Sequence, residues 1–146
     1  MFKELITNPI ILSCLFSVVI AQLIKTIDLS RKNSGFHWRY LFIASGFPSA
    51  HTATVTALIL GVFLTEGIST LLVVSLVLSL IVIRDVLGDR IFARQQENLI
   101  NDTFHKIFEG EFESIKWDNL IGHSIKEVFW GLILGAVITS LVFYLK

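Results

Sequence analysis

Two histidines stand in settings where an imidazole could act on a phosphate. The first is in "GFPSAHTA", residues 46–53, where Pro48 and Ser49 precede His51. Serine is a favoured N-cap and proline is tolerated near a first helical turn, so a helix is expected to start here. The free N–H groups of such an end attract anions, phosphate above all. The plainer alternative is that Ser49 only caps the helix and His51 faces water at a membrane interface. The second is in "GHSIKEV", residues 122–128, where His123 and Glu127 are one helical turn apart on one face. A carboxylate there can accept from one imidazole nitrogen, fix the tautomer and leave the other lone pair outward. A nucleophilic or basic histidine needs that arrangement. A purely structural hydrogen bond is the alternative.

Cations surround both motifs. Lys25 and Arg39 precede the first, and "RDVLGDRIFARQQENLIN", residues 84–101, precedes the second. In that stretch Asp85 and Asp89 share a helical face, and Arg90 and Arg94 have the same spacing. Arg90, with Arg94, offers the planar donor fork that suits phosphate oxygens. A salt-bridged helix end whose long side chains reach toward water is the competing reading. Two histidines with Asp85 or Glu127 could also hold a metal. The arginines and lysine would then crowd the cation, which favours an anion in the middle.

These groups need a scaffold, and the composition says what kind. The chain has 146 residues, enough for one domain spanning 1–146. Hydrophobic residues make up 53% and charged ones 16%, with a mean hydropathy of +0.72. A soluble domain is nearer a quarter charged, so this is an integral membrane composition. Twelve basic residues balance twelve acidic ones, which leaves no field to draw nucleic acid. The lone Cys14 excludes an internal disulfide and a cysteine-rich metal site.

Four stretches lack charge for long enough to matter: Leu5–Ile24, Gly46–Thr65, Gly67–Ile83 and Val128–Leu145. A spanning helix needs about 20 apolar residues, with roughly 17 as a lower limit. The second and third meet at Thr65-Glu66-Gly67, a tight helical hairpin. The first is followed by no small-residue cleavage site, and it reads as a retained helix. Between the last two, Phe104, Ile107, Phe108, Phe112 and Ile115 recur near helical spacing among Lys106, Glu109, Glu111 and Glu113. That pattern suits a helix in the membrane interface, with a solvated loop as the alternative. The loops Lys25–Arg39 and Arg84–Glu127 fall on one side, and the positive-inside rule makes that side cytoplasmic. Gly131 and Gly135 form a close-packing pair, open to use in a homodimer or within one chain.

"GFPSAHTA", "DVLGDR…Q…N" and "GHSIKEVFWG" together resemble the signatures of the divergent branch of the type 2 phosphatidic acid phosphatase and vanadium haloperoxidase-related superfamily. The likeness runs from about Lys25 to Gly135. It implies an α-helical membrane bundle and a metal-independent phosphatase with no cofactor. It also implies His123 as the nucleophile, Glu127 as its orienter and His51 as the general acid for the leaving alcohol. Ser49, Lys25, Arg39 and Arg90 become candidate phosphate ligands. The branch's pattern adds Asp85, Gly88, Gln96 and Asn101. The chain departs from the wider superfamily at several points. Lys25 and Arg39 are further apart than its lysine and arginine, and Ala50 replaces a glycine. Lys116-Trp117 stand where Ser-Arg is usual, and Glu127 replaces an aspartate.

The expectation is therefore an all-α integral membrane bundle of about four spans with an interfacial helical loop, multi-pass in the cell membrane. It would hydrolyse a lipid or isoprenoid phosphate or diphosphate through a phosphohistidine. A phosphate- or lipid-binding protein of the same fold, without turnover, is the alternative.

Overall fold

The computed structural model describes residues 4, 6–32, 35–43, 45–107 and 122–146. Four long helices account for most of them: α1 (Pro9–Lys32), α2 (Ala50–Glu66), α3 (Thr70–Ile107) and α4 (Ile125–Tyr144). A short 3-10 helix, Trp38–Phe42, lies between α1 and α2. No strand occurs among the described residues. The chain is an all-α membrane bundle.

Side-chain caps set where these helices begin. Asn8 Oδ1 accepts from the backbone N–H of Ile10 at 2.8 Å, and Pro9 then opens α1 with its fixed backbone angle. Ser49 caps α2 and Ser124 caps α4. The helix ends are less obvious from composition. The first and third uncharged runs stop at Ile24 and Ile83, yet α1 continues to Lys32 and α3 to Ile107. Charge ends the apolar run without ending the helix, because Lys, Arg, Glu and Gln are good helix formers. Phe104 and Ile107 thus lie on the last turns of α3. Phe108, Phe112 and Ile115, and Glu109, Glu111 and Glu113 between them, fall outside the described residues.

Three helices are long and apolar enough to cross a membrane: α1, α3 and α4. The fourth, α2, has 17 residues and rises only about 26 Å, short of the roughly 30 Å hydrocarbon core. It sits at the centre and packs against the other three, whereas α3 packs mainly on α2. Large apolar side chains such as Phe16, Val77, Leu80 and Leu141 face outward, as lipid contact requires. The interior instead holds small hydroxyl residues, including Ser13, Thr52, Ser79 and Thr139. Their hydroxyls donate one turn back along their own helices, for instance Ser79 to Ser75 O and Thr139 to Gly135 O. Most of these hydroxyls are thereby satisfied inside a phase that offers no water, Ser17 Oγ being an exception among the described residues.

The contacts fix the helix directions. Ile10 meets Gly61 and Cys14 meets Thr54, so α1 and α2 are antiparallel. Gly131 meets Ser49 and Thr52, and Gly135 meets Ala53 and Thr56, so α2 and α4 run parallel. A Cβ on Gly131 would stand 2.7 Å from Ser49 O, and one on Gly135 would strike Ala53 O. The small-residue pair is thus used within the chain, to bring two helix starts together. At the far end Lys146 Nζ donates to Thr7 O, and the Gly67–Ser69 turn joins α2 to α3.

Candidate functional site

The N-termini of α2 and α4 meet at one end of the bundle, against the middle of α3 and the last turns of α1. The backbone N–H of Ser49 donates to the backbone carbonyl of Glu127 at 3.0 Å, a main-chain tie between the two helix starts. A second tie runs from the His123 N–H to Val86 O on α3, at 3.1 Å. Gly122, with φ of 73°, turns the chain into that contact. Its missing side chain matters too, since a Cβ there would collide with the backbone of Arg90.

His123 is 3% exposed. Its Nδ1–H donates to Glu127 Oε2 at 3.0 Å, and that oxygen also accepts from the Ser124 N–H at 3.1 Å. The Ser124 hydroxyl in turn accepts from the Glu127 N–H, closing a capping box. The other carboxylate oxygen, Oε1, lies 3.7 Å from Arg90 Nη1 on α3. With Nδ1 as donor to the carboxylate, the neutral form of the ring has its lone pair on Nε2. Nε2 is buried and has no hydrogen-bond partner among the described residues.

His51, in the first turn of α2, meets His123 in a T-shaped ring contact with centroids 5.9 Å apart. Its outer side opens into a groove of about 480 Å³. Gln22 and Lys25 join His51 in its polar lining, and Leu41, Phe42, Val55 and Val82 supply apolar walls. Lys25 is 1% exposed, and its Nζ donates to Ile43 O at 3.2 Å. Gln22 Nε2 donates to Tyr40 O and Ile43 O, pinning the 3-10 segment over α1. Lys25 and Asp89 lie close enough to act electrostatically on His51, as do Lys25 and Glu127 on one another.

The residues singled out from sequence therefore divide. His51, His123, Glu127, Lys25 and Arg90 converge. Ser49 is fully buried, and its Oγ accepts from the Thr52 N–H and hydroxyl, which fixes the start of α2. Arg39 is exposed on the 3-10 helix, with its guanidinium 5.8 Å from the Trp38 ring centroid. Asp85 pairs with Arg84 at 3.4 Å on the exposed side of α3. Two contributors escaped the sequence reading. Ser124 carried a signal, since Ser-x-x-Glu before an apolar run is a capping box. Gly122 carried none, because its close approach to Arg90 depends on tertiary packing.

A lone pair on a buried, carboxylate-oriented imidazole, with a second imidazole and two cations nearby, can attack an electrophilic centre that bears negative charge. Comparison with known proteins identifies a family. The sequence model of the Divergent PAP2 family matches residues 6–138. The chain is also similar to a Bacillus subtilis (strain 168) protein named "Uncharacterized membrane protein YuiD". The two are 35% identical over 158 residues, covering 97% of this chain and 98% of that one. No solved structure matches.

Proposed function

The chain belongs to the Divergent PAP2 family, and on that premise we propose that it is a membrane phosphatase acting on a lipid or isoprenoid phosphate or diphosphate. One observation carries the reading: His123 has one ring nitrogen held by Glu127 and the other unpartnered among the described residues, in a ring in T-shaped contact with His51. In this mechanism His123 Nε2 attacks phosphorus and the bond from phosphorus to the leaving oxygen breaks. His51 gives that oxygen its proton, so the alcohol leaves neutral. His51 then takes a proton from water, which displaces phosphate from the phosphohistidine. Lys25 and the remaining N–H groups of Arg90 offset charge on the phosphoryl oxygens. The N-terminal dipoles of α2 and α4 add to that field.

The apolar walls of the groove beside His51 and Lys25 suit a hydrocarbon tail attached to the phosphate. The reading places the protein in the cell membrane and requires neither metal nor cofactor. A homodimer would have to use a surface other than Gly131 and Gly135, which pack on α2.

The test is phosphate release by detergent-purified protein from phosphatidic acid, phosphatidylglycerol phosphate, and polyprenyl phosphates and diphosphates. EDTA is present throughout, and His123→Ala runs in parallel. Release that survives EDTA and vanishes in the variant is the expected result. The burial of Nε2 favours one other reading, a phosphate- or lipid-binding protein without turnover. Tight binding of a panel lipid with no release from folded wild type would select it.

A further inference from the structure

Glu127 has two carboxylate oxygens, and they serve different helices. Oε2 is taken up within its own segment, by His123 Nδ1–H and the Ser124 N–H. Oε1 faces Arg90 Nη1 of α3 at 3.7 Å, and both side chains are largely shielded, at 22% and 18% exposure. The backbone of α3 comes this close because residue 122 has no side chain, and the His123 N–H to Val86 O bond holds it there. We propose that Arg90 is a positioning residue for His123, acting across the helix interface through Glu127, with Gly122 as the contact that admits it.

The physical argument concerns rotation. The bonds from His123 and Ser124 both converge on Oε2, so they anchor one end of the carboxylate and leave it free to swing about that end. A charged guanidinium at Oε1 removes that freedom. The plane of the carboxylate, and with it the direction of the imidazole, is then set by α3 as well as by α4. Around metal-bound histidines the loss of such a partner typically changes affinity or activity about 10–100-fold, and the same scale is expected for this oriented imidazole. The role rests on the phosphohistidine reading for its kinetic consequence, but its structural consequence stands without it.

The test therefore has two arms on purified full-length protein in detergent. The first is nitrogen NMR of the His123 ring in wild type, Arg90→Gln and Arg90→Lys, with folding checked by helical content and melting temperature. A positioning role predicts a single Nδ1–H tautomer in wild type. It predicts tautomer exchange in Arg90→Gln and partial restoration in Arg90→Lys. His123 signals unchanged in a folded Arg90→Gln overturn the proposal, whether or not the protein is a phosphatase. The second arm is kinetic, on whichever phosphate ester wild type hydrolyses. A kcat lowered about 10–100-fold at little-changed KM supports positioning. A raised KM at unchanged kcat makes Arg90 a phosphate ligand alone and overturns it. Gly122→Ala, which forces α3 away without touching the charge, should reproduce the tautomer exchange of Arg90→Gln. A Gly122→Ala protein with the wild-type His123 spectrum counts against the proposal. An inert wild type with the expected NMR changes would sink the phosphatase reading and leave the positioning role intact.

Discussion

His51 and His123 meet edge to face, with ring centroids 5.9 Å apart, although one sits in the first turn of α2 and the other just ahead of α4. They differ in every local respect. His123 is buried and bound to a carboxylate, whereas His51 is exposed toward the groove and lies in the field of Lys25. Two imidazoles in such unlike surroundings suit two unlike tasks, one nucleophilic and one acidic.

Replacing each histidine should separate those tasks. His123→Ala is expected to abolish turnover on every ester. His51→Ala should lose about 10²–10⁴-fold on an alkyl phosphate, the usual worth of a general acid. On p-nitrophenyl phosphate, whose leaving group needs no proton, the loss should be far smaller. Equal losses of His51→Ala on both esters would remove it from the acid role.

Glu127 holds both the ring of His123 and the start of α4. Glu127→Gln should therefore lower activity about 10–100-fold and also lower the melting temperature. Ser124→Ala removes the reciprocal cap and should cost about 1 kcal/mol of stability. Thermal unfolding in detergent measures both. A Ser124→Ala protein as stable as wild type would mean the capping box contributes nothing.

Close packing of α2 on α4 predicts a split among glycines. Gly131→Ala and Gly135→Ala place a methyl against Ser49 O and Ala53 O, and each should destabilise by about 1–3 kcal/mol. Gly88, on α3, has nothing within 4 Å of its Cβ position. Gly88→Ala should instead gain up to about 1 kcal/mol from helix propensity. One common melting temperature for the three variants would contradict the packing.

The helix directions can be tested chemically. In a Cys14→Ala background, single cysteines replace Lys32 at the end of α1 and Ile68 in the α2–α3 turn. A membrane-impermeant maleimide should reach them from opposite faces of sealed vesicles. Labelling of both from one face would rule out this arrangement of α1 and α2.

What the sequence disclosed follows from how local each signal is. Charge-free runs announced the helices, and Ser49 behind Pro48 announced the start of α2, because a cap acts within one turn. His123 and Glu127 were legible as a pair for the same reason, being four residues apart on one chain segment. The continuation of α1 to Lys32 and α3 to Ile107 was not, since hydropathy reports the surrounding phase and not the backbone conformation. Which cations join the histidines was equally hidden. Lys25, Arg39 and Arg90 look alike in sequence. Only the fold buries Lys25, stacks Arg39 on Trp38 and turns Arg90 toward Glu127.

The bond from the Ser49 N–H to the Glu127 carbonyl joins two peptide groups and no side chains. Its donor and acceptor do not depend on side-chain identity, and proline at position 49 is the substitution that deletes the donor outright. The distance between the two helix starts is therefore set by main-chain groups and by the glycines that let them approach. The proposed reactivity rests instead on the side chains of His51, His123 and Glu127, which can change while those contacts stay. A lineage built this way can discard or exchange its reaction and still inherit the frame, so descent alone is a better guide to this architecture than to its chemistry.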